Sequence, residues 1–191
     1  MFTGIIKNVS QVLKAEKKNG SLFLTIKKPK GWDIKLGDSI STDGVCLTIA
    51  KINKNNYVCE LMTETLNKSY FGIFIPEWVN LEQSIKLGEK LDGHFVLGHI
   101  DTRGKIKSIT KSKSGVIYKI SFPSKYSRLV VSKGSIAIDG ISLTVASITG
   151  TNHFSVSLID YTLSHTSLGR KKAGDPVNLE FDILGKYLLK N

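Results

Sequence analysis

The amino-acid sequence predicts an all-β protein built from one small domain written twice, and three observations carry that expectation. Residues 43–50 read DGVCLTIA and residues 139–146 read DGISLTVA. Short runs with period-two alternation, bounded by turn letters, recur along the chain, and helical signals are few. Alternation of this kind marks half-buried strands, and a motif repeated with its flanks marks an internal duplication.

The doubling runs from end to end in one order. Ser39 and Ile40 face Ser135 and Ile136. Gly4-Ile5-Ile6 matches Gly98-His99-Ile100 at an offset of 94, and Thr48 matches Thr144 at 96. Thr65-Leu66 and Gly72 match Thr162-Leu163 and Gly169 at 97, and Asn80-Leu81-Glu82 matches Asn178-Leu179-Glu180 at 98. A slowly rising offset is what loops produce when they gain single residues between strands that keep their length. The drift at Gly93–Leu97 places the boundary near residues 88–96, without a Pro/Gly/Ser-rich linker. The expected units are residues 1–92, residues 93–182 and a short terminal helix over 183–191.

Within each unit the strands are explicit. SLFLTIK (21–27), NYVCELM (56–62) and HFSVSLI (153–159) alternate or are β-branched and apolar, with NG, GD, DG and TG turn signals between them. About six strands in roughly 90 residues favour a small closed barrel or a sandwich. TLNKSYFG and TLSHTSLG have room for a helical turn or two, PSKYSRLVV for another, and ILGKYLLK for a short helix at the end.

Composition excludes several classes. Hydrophobic content of 41% with 23% charged residues is that of a soluble globular chain. No apolar run approaches the ~20 residues of a membrane helix, and MFTGIIKNVS lacks the basic and apolar regions of a secretory signal. Cys46 and Cys59 form neither a disulfide framework nor a metal spacing, which fits a reducing cytoplasm. The net charge of +11 raises an anionic or nucleic-acid partner. The excess is nearly all lysine, however, in scattered pairs, with arginine only at 103, 128 and 170. Arginine is the better residue for bidentate phosphate and base contacts, so a lysine-coated surface is expected and a nucleic-acid partner is not.

Cys46 in an apolar strand reads on its own as a small buried hydrophobe. Two residues on stands Thr48, and Ser142 and Thr144 hold the same places in the other copy. Residues i and i+2 share one face of a strand, so each half presents a thiol or hydroxyl beside a threonine. Two adjacent polar groups are costly in a dry core and suit a pocket mouth. His94 and His99, in GHFVLGH, lie five apart and point to opposite faces of an extended run, so they are not expected to share a metal. His99 stands in the place of Ile5, an apolar slot made titratable. No Gly-rich phosphate loop or Ser-x-x-Lys constellation is present.

MFTGII, GVCLTI, MTETL, GHFVLGHID, AIDGISLTV and NLEFDILGKY, in this order over residues 1–187, closely resemble riboflavin synthase of the two-barrel (alpha-chain) family. The resemblance implies two six-stranded Greek-key barrels and a transferase that dismutates two 6,7-dimethyl-8-ribityllumazine molecules without metal or redox cofactor. A four-carbon unit passes from one to the other, giving riboflavin and 5-amino-6-ribitylaminouracil, the last step of riboflavin biosynthesis. Two molecules in two roles call for two related but unequal pockets, and Cys46/Ser142 marks the difference.

By resemblance, the first half binds substrate through Gly4, Ile5 and Ile6, Cys46, Leu47 and Thr48, and Glu60, Leu61, Met62, Thr63, Glu64 and Thr65. The second half binds through Gly98, His99 and Ile100, Lys133, Ser142, Leu143 and Thr144, and Ser157, Leu158, Ile159, Asp160, Tyr161 and Thr162, with Asp182 toward the ribityl chain. Cys46, Ser39, Thr65 and His99 are the implied catalytic candidates, with His99 favoured for proton transfer. Tyr161 departs from the family's usual glutamate, which the first half keeps as Glu64. The resemblance further implies a cytoplasmic homotrimer held by terminal helices, weakened here by a short one, with active sites between subunits and a functional link to lumazine synthase. Two other readings fit the same letters: a non-catalytic lumazine- or flavin-binding relative, and a basic β-barrel nucleic-acid binder.

Overall fold

A computed structural model of the protein describes residues 1–112 and 115–190. Asn191, the last residue of the expected terminal helix, lies outside them. Among the described residues, twelve strands close into two six-stranded antiparallel barrels. The first comprises β1 (Asn8–Lys18), β2 (Ser21–Lys27), β3 (Ser39–Thr42), β4 (Val45–Ile52), β5 (Asn56–Leu61) and β6 (Trp78–Gln83), in the order β1-β2-β5-β4-β3-β6. The second comprises β7 (Thr102–Ser112), β8 (Gly115–Ser121), β9 (Ser135–Ile138), β10 (Ile141–Thr149), β11 (His153–Leu158) and β12 (Pro176–Phe181). Its order, β10-β11-β8-β7-β12-β9, is the same Greek-key ring. Helices α1 (Thr63–Lys68), α2 (Asp160–His165) and α3 (Ile183–Leu188) are short.

The alternation read from the sequence is the alternation that fills the barrels. Leu22, Leu24 and Ile26 of β2 are buried inward, as are Phe154, Val156 and Leu158 of β11. Burying each such side chain contributes about 1.5–3 kcal/mol, and closure leaves no strand edge open to aggregation. Both copies carry bulges at equivalent places, one of them between Ile49 and Lys51 in β4 and between Val145 and Ser147 in β10. Before its bulge, β4 pairs with β3 over Val45–Thr48, while its pairing with β5 begins only at Ile49. That leaves one side of Val45–Thr48 for something other than β5.

The barrels meet across a local two-fold arrangement at the two DG turns. Gly44 and Gly140 lie at φ +79° and +77°, and a Cβ on Gly44 would stand 2.6 Å from the Gly140 nitrogen. The turn aspartates are fully buried. Asn80 N–H donates to Asp43 Oδ1 at 2.8 Å, and Asn178 N–H to Asp139 Oδ1 at 2.7 Å. The amide side chains cross over: Asn80 Nδ2 donates to Asp139 O, and Asn178 Nδ2 to Asp43 O, both at 2.9 Å. Tyr70 and Ser167 hydroxyls donate to Asp43, and Lys171 Nζ lies 2.7 Å from Asp139 Oδ2. Burial, reinforced by the neighbouring Asp139, pushes the Asp43 carboxyl up to about 7.

Candidate functional site

The side of β4 that β5 leaves open is filled from the other half of the chain. Cys46 N–H donates to Gly98 O at 2.9 Å. Gly98 has φ +81°, and a Cβ there would stand 2.5 Å from Cys46 Cβ, so only glycine lets the two backbones lie this close. The second barrel repeats the contact with the partners reversed. Ser142 N–H donates to Gly4 O at 2.8 Å, and Gly4, at φ +77°, would place a Cβ 2.6 Å from Ser142 Cβ.

The lead-in segments are therefore exchanged. Gly98-His99-Ile100, grouped above with the second half, lies against the first barrel, where Ile100 packs into the core. Gly4-Ile5-Ile6, grouped with the first half, lies against the second, where Ile6 packs. The repeat aligned these triplets with each other correctly, but sequence order says nothing about which barrel each one crosses. Two buried carboxylates fix the crossings. Glu82 accepts from Thr3 N–H at 2.7 Å and Gly4 N–H at 2.9 Å, and Glu180 from Leu97 N–H and Gly98 N–H at the same distances. Burial raises both carboxyls, that of Glu180 to about 7.

The first crossing borders a cleft of about 430 Å³ lined by Cys46, Glu64, Thr65, Lys68, Gly98 and His99, with Val45 and Ile100 at its base. The volume falls in the range of a pocket for one small ligand. Cys46 is half-buried, its outer side toward the cleft, and His99 is exposed. Thr48 is exposed on the same strand face as Cys46, and strand alternation turns its N–H to the side where Cys46 meets Gly98. Glu64 and Lys68 form an i,i+4 ion pair at 3.1 Å.

Ser39 stands apart from this group. It lines a neighbouring cleft with Asp38, Ser84 and Lys86, and pairs across the sheet with Thr48, whereas Cys46 pairs with Ser41. Leu47, Leu61 and Leu158 point into the cores, so only their backbones can face a ligand. Glu60, Met62 and Thr63 sit at the exposed end of β5 and the start of α1.

The second crossing is occupied differently. A Cβ on Gly93 would stand 3.0 Å from Ser142 Cβ, and the next residue, His94, places Nδ1 2.7 Å from Ser142 Oγ. His94 is buried, and burial lowers its pKa while Asp182 pulls it up. Its Nε2 has no partner among the described residues. Asp182 caps α3, accepting from Leu184 N–H at 3.0 Å. Leu143 packs at the rim of the second core and Thr144 is exposed beside Ser142. Ser157, Ile159, Asp160 and Tyr161 are exposed around the start of α2, with Thr162 half-buried. Lys133 is exposed at φ +68°, where its counterpart in the first half is Gly37 at φ +86°. A lysine held in that region costs about 1–2 kcal/mol.

His94 and His99 thus sit at different crossings, one closing on Ser142 and one bordering the cleft at Cys46. Lys68 and His165 were not among the residues singled out from the sequence, and His94 was named there without a partner or a site role. Lys68 and His165 could have been found by applying the i,i+4 helical spacing to Glu64 and Tyr161. The partner of His94 could not, since nothing local shows that this side chain reaches a residue 48 positions away.

A family model described as "Lumazine binding domain" matches residues 3–84 and again residues 97–182. Over 190 residues the chain is 42% identical to a riboflavin synthase of Actinobacillus pleuropneumoniae, covering 98% of this chain and 88% of that one. It is 40% identical over 193 residues to a riboflavin synthase of Mycobacterium bovis, covering 98% and 96%. The crystal structure of LumP complexed with 6,7-dimethyl-8-(1'-D-ribityl) lumazine shares the fold, with a TM-score of 0.85 at 22% identity over 94% of this chain and 98% of that one.

Proposed function

The chain belongs to the riboflavin synthase family of lumazine-binding proteins, and from that membership we propose how its two unequal pockets divide the reaction. The family's chemistry is a four-carbon transfer between two molecules of 6,7-dimethyl-8-ribityllumazine. One molecule loses a proton from its C7 methyl group and the other accepts a nucleophile at C7. The four-carbon unit then passes across, leaving riboflavin and 5-amino-6-ribitylaminouracil. No metal or redox cofactor takes part in the proposed reaction.

The observation that carries the reading is the convergence of Cys46, Thr65 and His99 on one cleft sized for one ligand. Backbone groups of β4, the β5–α1 turn and the Gly98 segment would read the alternating carbonyls and nitrogens of the heterocycle. His99, exposed at the rim, would move the methyl proton, and Cys46 would orient or stabilise the ring. The second lumazine would bind at the Ser142 crossing, with Lys133 and Asp182 toward its polar groups. The strained Lys133 backbone supports a role for that ammonium, because strain is kept where the side chain is needed. Ser39 would act, if on the ligand, from the far side of Thr48.

Each pocket holds one ring, so two pockets must face each other for reaction. Stacking two rings in reactive geometry is worth about 7–11 kcal/mol, more than acid–base assistance of about 10²–10⁴-fold. We place that meeting between subunits of a homotrimer in the cytoplasm, with the lumazine supplied by lumazine synthase. The exposed Leu184, Tyr187 and Leu188 of α3 support an assembly in which terminal helices pack together.

Purified protein given 6,7-dimethyl-8-ribityllumazine should form one riboflavin for each two lumazines consumed. A tightly held chromophore without turnover would favour the non-catalytic binding relative instead.

A further inference from the structure

Beyond Cys46/Ser142, Ile5/His99 and Gly37/Lys133, the two barrels differ at a pair of equivalent helix positions. Helices α1 and α2 correspond at an offset of 97 residues, so Glu64, Thr65 and Lys68 of the first cleft correspond to Tyr161, Thr162 and His165. In α1 the outer pair is ionic, with Lys68 Nζ 3.1 Å from Glu64 Oε1. In α2 it is aromatic. The Tyr161 and His165 rings stack with centroids 4.0 Å apart and planes 15° from parallel. His165 Nδ1 lies 2.9 Å from Tyr161 O and 2.9 Å from Ser164 Oγ, which fixes the imidazole against the helix.

Neither ring belongs to the core. Tyr161 is 66% exposed, and His165 is exposed beside it. A surface helix needs no tyrosine there for its own packing, and the other copy fills the place with a glutamate. An exposed, prestacked pair of flat rings offers a face to a third flat ring, at little cost in side-chain entropy. The polar reading of a ligand is also reduced at this crossing, since the Ser142 hydroxyl is already engaged by His94. Apart from the His99 imidazole, the residues that line the first cleft carry no aromatic ring.

We propose that Tyr161, backed by His165, is the stacking wall of the second pocket and sets its preference for extended ring systems. The proposal rests on the lumazine-transfer reading above and assigns that pocket's specificity. Stacking grows with overlapping ring area, so the tricyclic ring of riboflavin gains more from this wall than the bicyclic lumazine does. The second pocket then holds the growing flavin, and the first, read by polar groups, holds the molecule that gives up its four carbons.

The test is a fluorescence titration of the full-length protein with riboflavin and, separately, with 6,7-dimethyl-8-ribityllumazine. The wild type should show two classes of site for riboflavin, the tighter one with strongly quenched flavin fluorescence. Tyr161→Ala should weaken that class about tenfold or more and relieve its quenching, as loss of one aromatic stacking partner does. Tyr161→Phe should keep both affinity and quenching, and His165→Ala should give a smaller loss. Lumazine affinity should change less than riboflavin affinity in each variant. Tyr161 is solvent-exposed, and an unchanged melting temperature would show that the variants fold. If Tyr161→Ala leaves both riboflavin classes and the quenching unchanged while the wild type converts lumazine, the wall is wrong and the family reaction stands. If the wild type neither binds nor converts lumazine, both fall together.

Discussion

Cys46 and Gly98 are joined backbone to backbone, N–H to carbonyl at 2.9 Å, although they lie in different halves of the duplicated chain. The contact brings His99 to the cleft that Cys46 borders. Each barrel is therefore completed by the segment that leads into the other, and the cleft at Cys46 draws on both halves of the chain.

Gly98→Ala should damage the first pocket and Gly4→Ala the second. Each added Cβ would meet strand backbone and Cβ atoms nearer than 3 Å, at a φ that L side chains rarely adopt. A destabilisation on the order of 2–4 kcal/mol is expected. Thermal melting checks the stability, and a ligand titration should show the loss of one binding class in each variant.

Cys46→Ser makes the first half imitate the second. The protein should fold with a melting temperature near that of the wild type and lose about tenfold or more of its turnover. Wild-type rates in this variant would mean that the thiol is packing alone. Dialysis against EDTA should leave the wild-type rate unchanged, and its loss on chelation would contradict the proposed cofactor-free reaction.

The buried Asp43 gives a pH signature. Its folded pKa, near 7, lies above the ordinary carboxylate value of about 3.9. The folded state therefore holds a proton that the unfolded state releases. This contribution to stability is fully present below about pH 4 and is lost as pH rises toward 7, at up to about 1.4 kcal/mol per pH unit. Asp43→Asn keeps an amide in place of the protonated carboxyl and should reduce the slope over that window, leaving the part contributed by Glu180, which burial also raises to about 7. Denaturant midpoints measured from pH 4 to 8 decide it, and equal slopes in variant and wild type would refute the assignment.

The barrels were legible because their physics is local. Leu22, Leu24 and Ile26 alternate in sequence and point inward in the barrel, and a duplicated order of motifs made the second ring follow from the first. Cys46 and Ser142 were legible as equivalents for the same reason. The exchange of Gly4 and Gly98 was not, since which barrel a lead-in segment crosses depends on how two finished barrels dock. The Asp43–Asp139 network was hidden for a related reason. Aspartate before glycine at positive φ is ordinary turn chemistry, and nothing in the two DG turns announces that they are buried against each other. The family resemblance also grouped Ser39 with the catalytic candidates, and strand register pairs it with Thr48.

His99→Ala should lower turnover about 10²–10⁴-fold if the imidazole moves the methyl proton. Ligand affinity should fall far less, because the backbone contacts of Gly98 remain. A loss confined to affinity would instead make His99 a binding residue.

In the proposed arrangement two unequal pockets meet between subunits, with Cys46 and His99 in one of them and Ser142 in the other. Subunit mixing tests it most directly. His99→Ala and Ser142→Ala, each poorly active alone, should recover activity when their subunits are exchanged, to about one quarter of wild type in an equal mixture within closed rings. Cys46→Ala mixed with His99→Ala should recover nothing, because every first pocket in that mixture lacks one of its two groups. Recovery in the second mixture, or none in the first despite demonstrated subunit exchange, would contradict the arrangement.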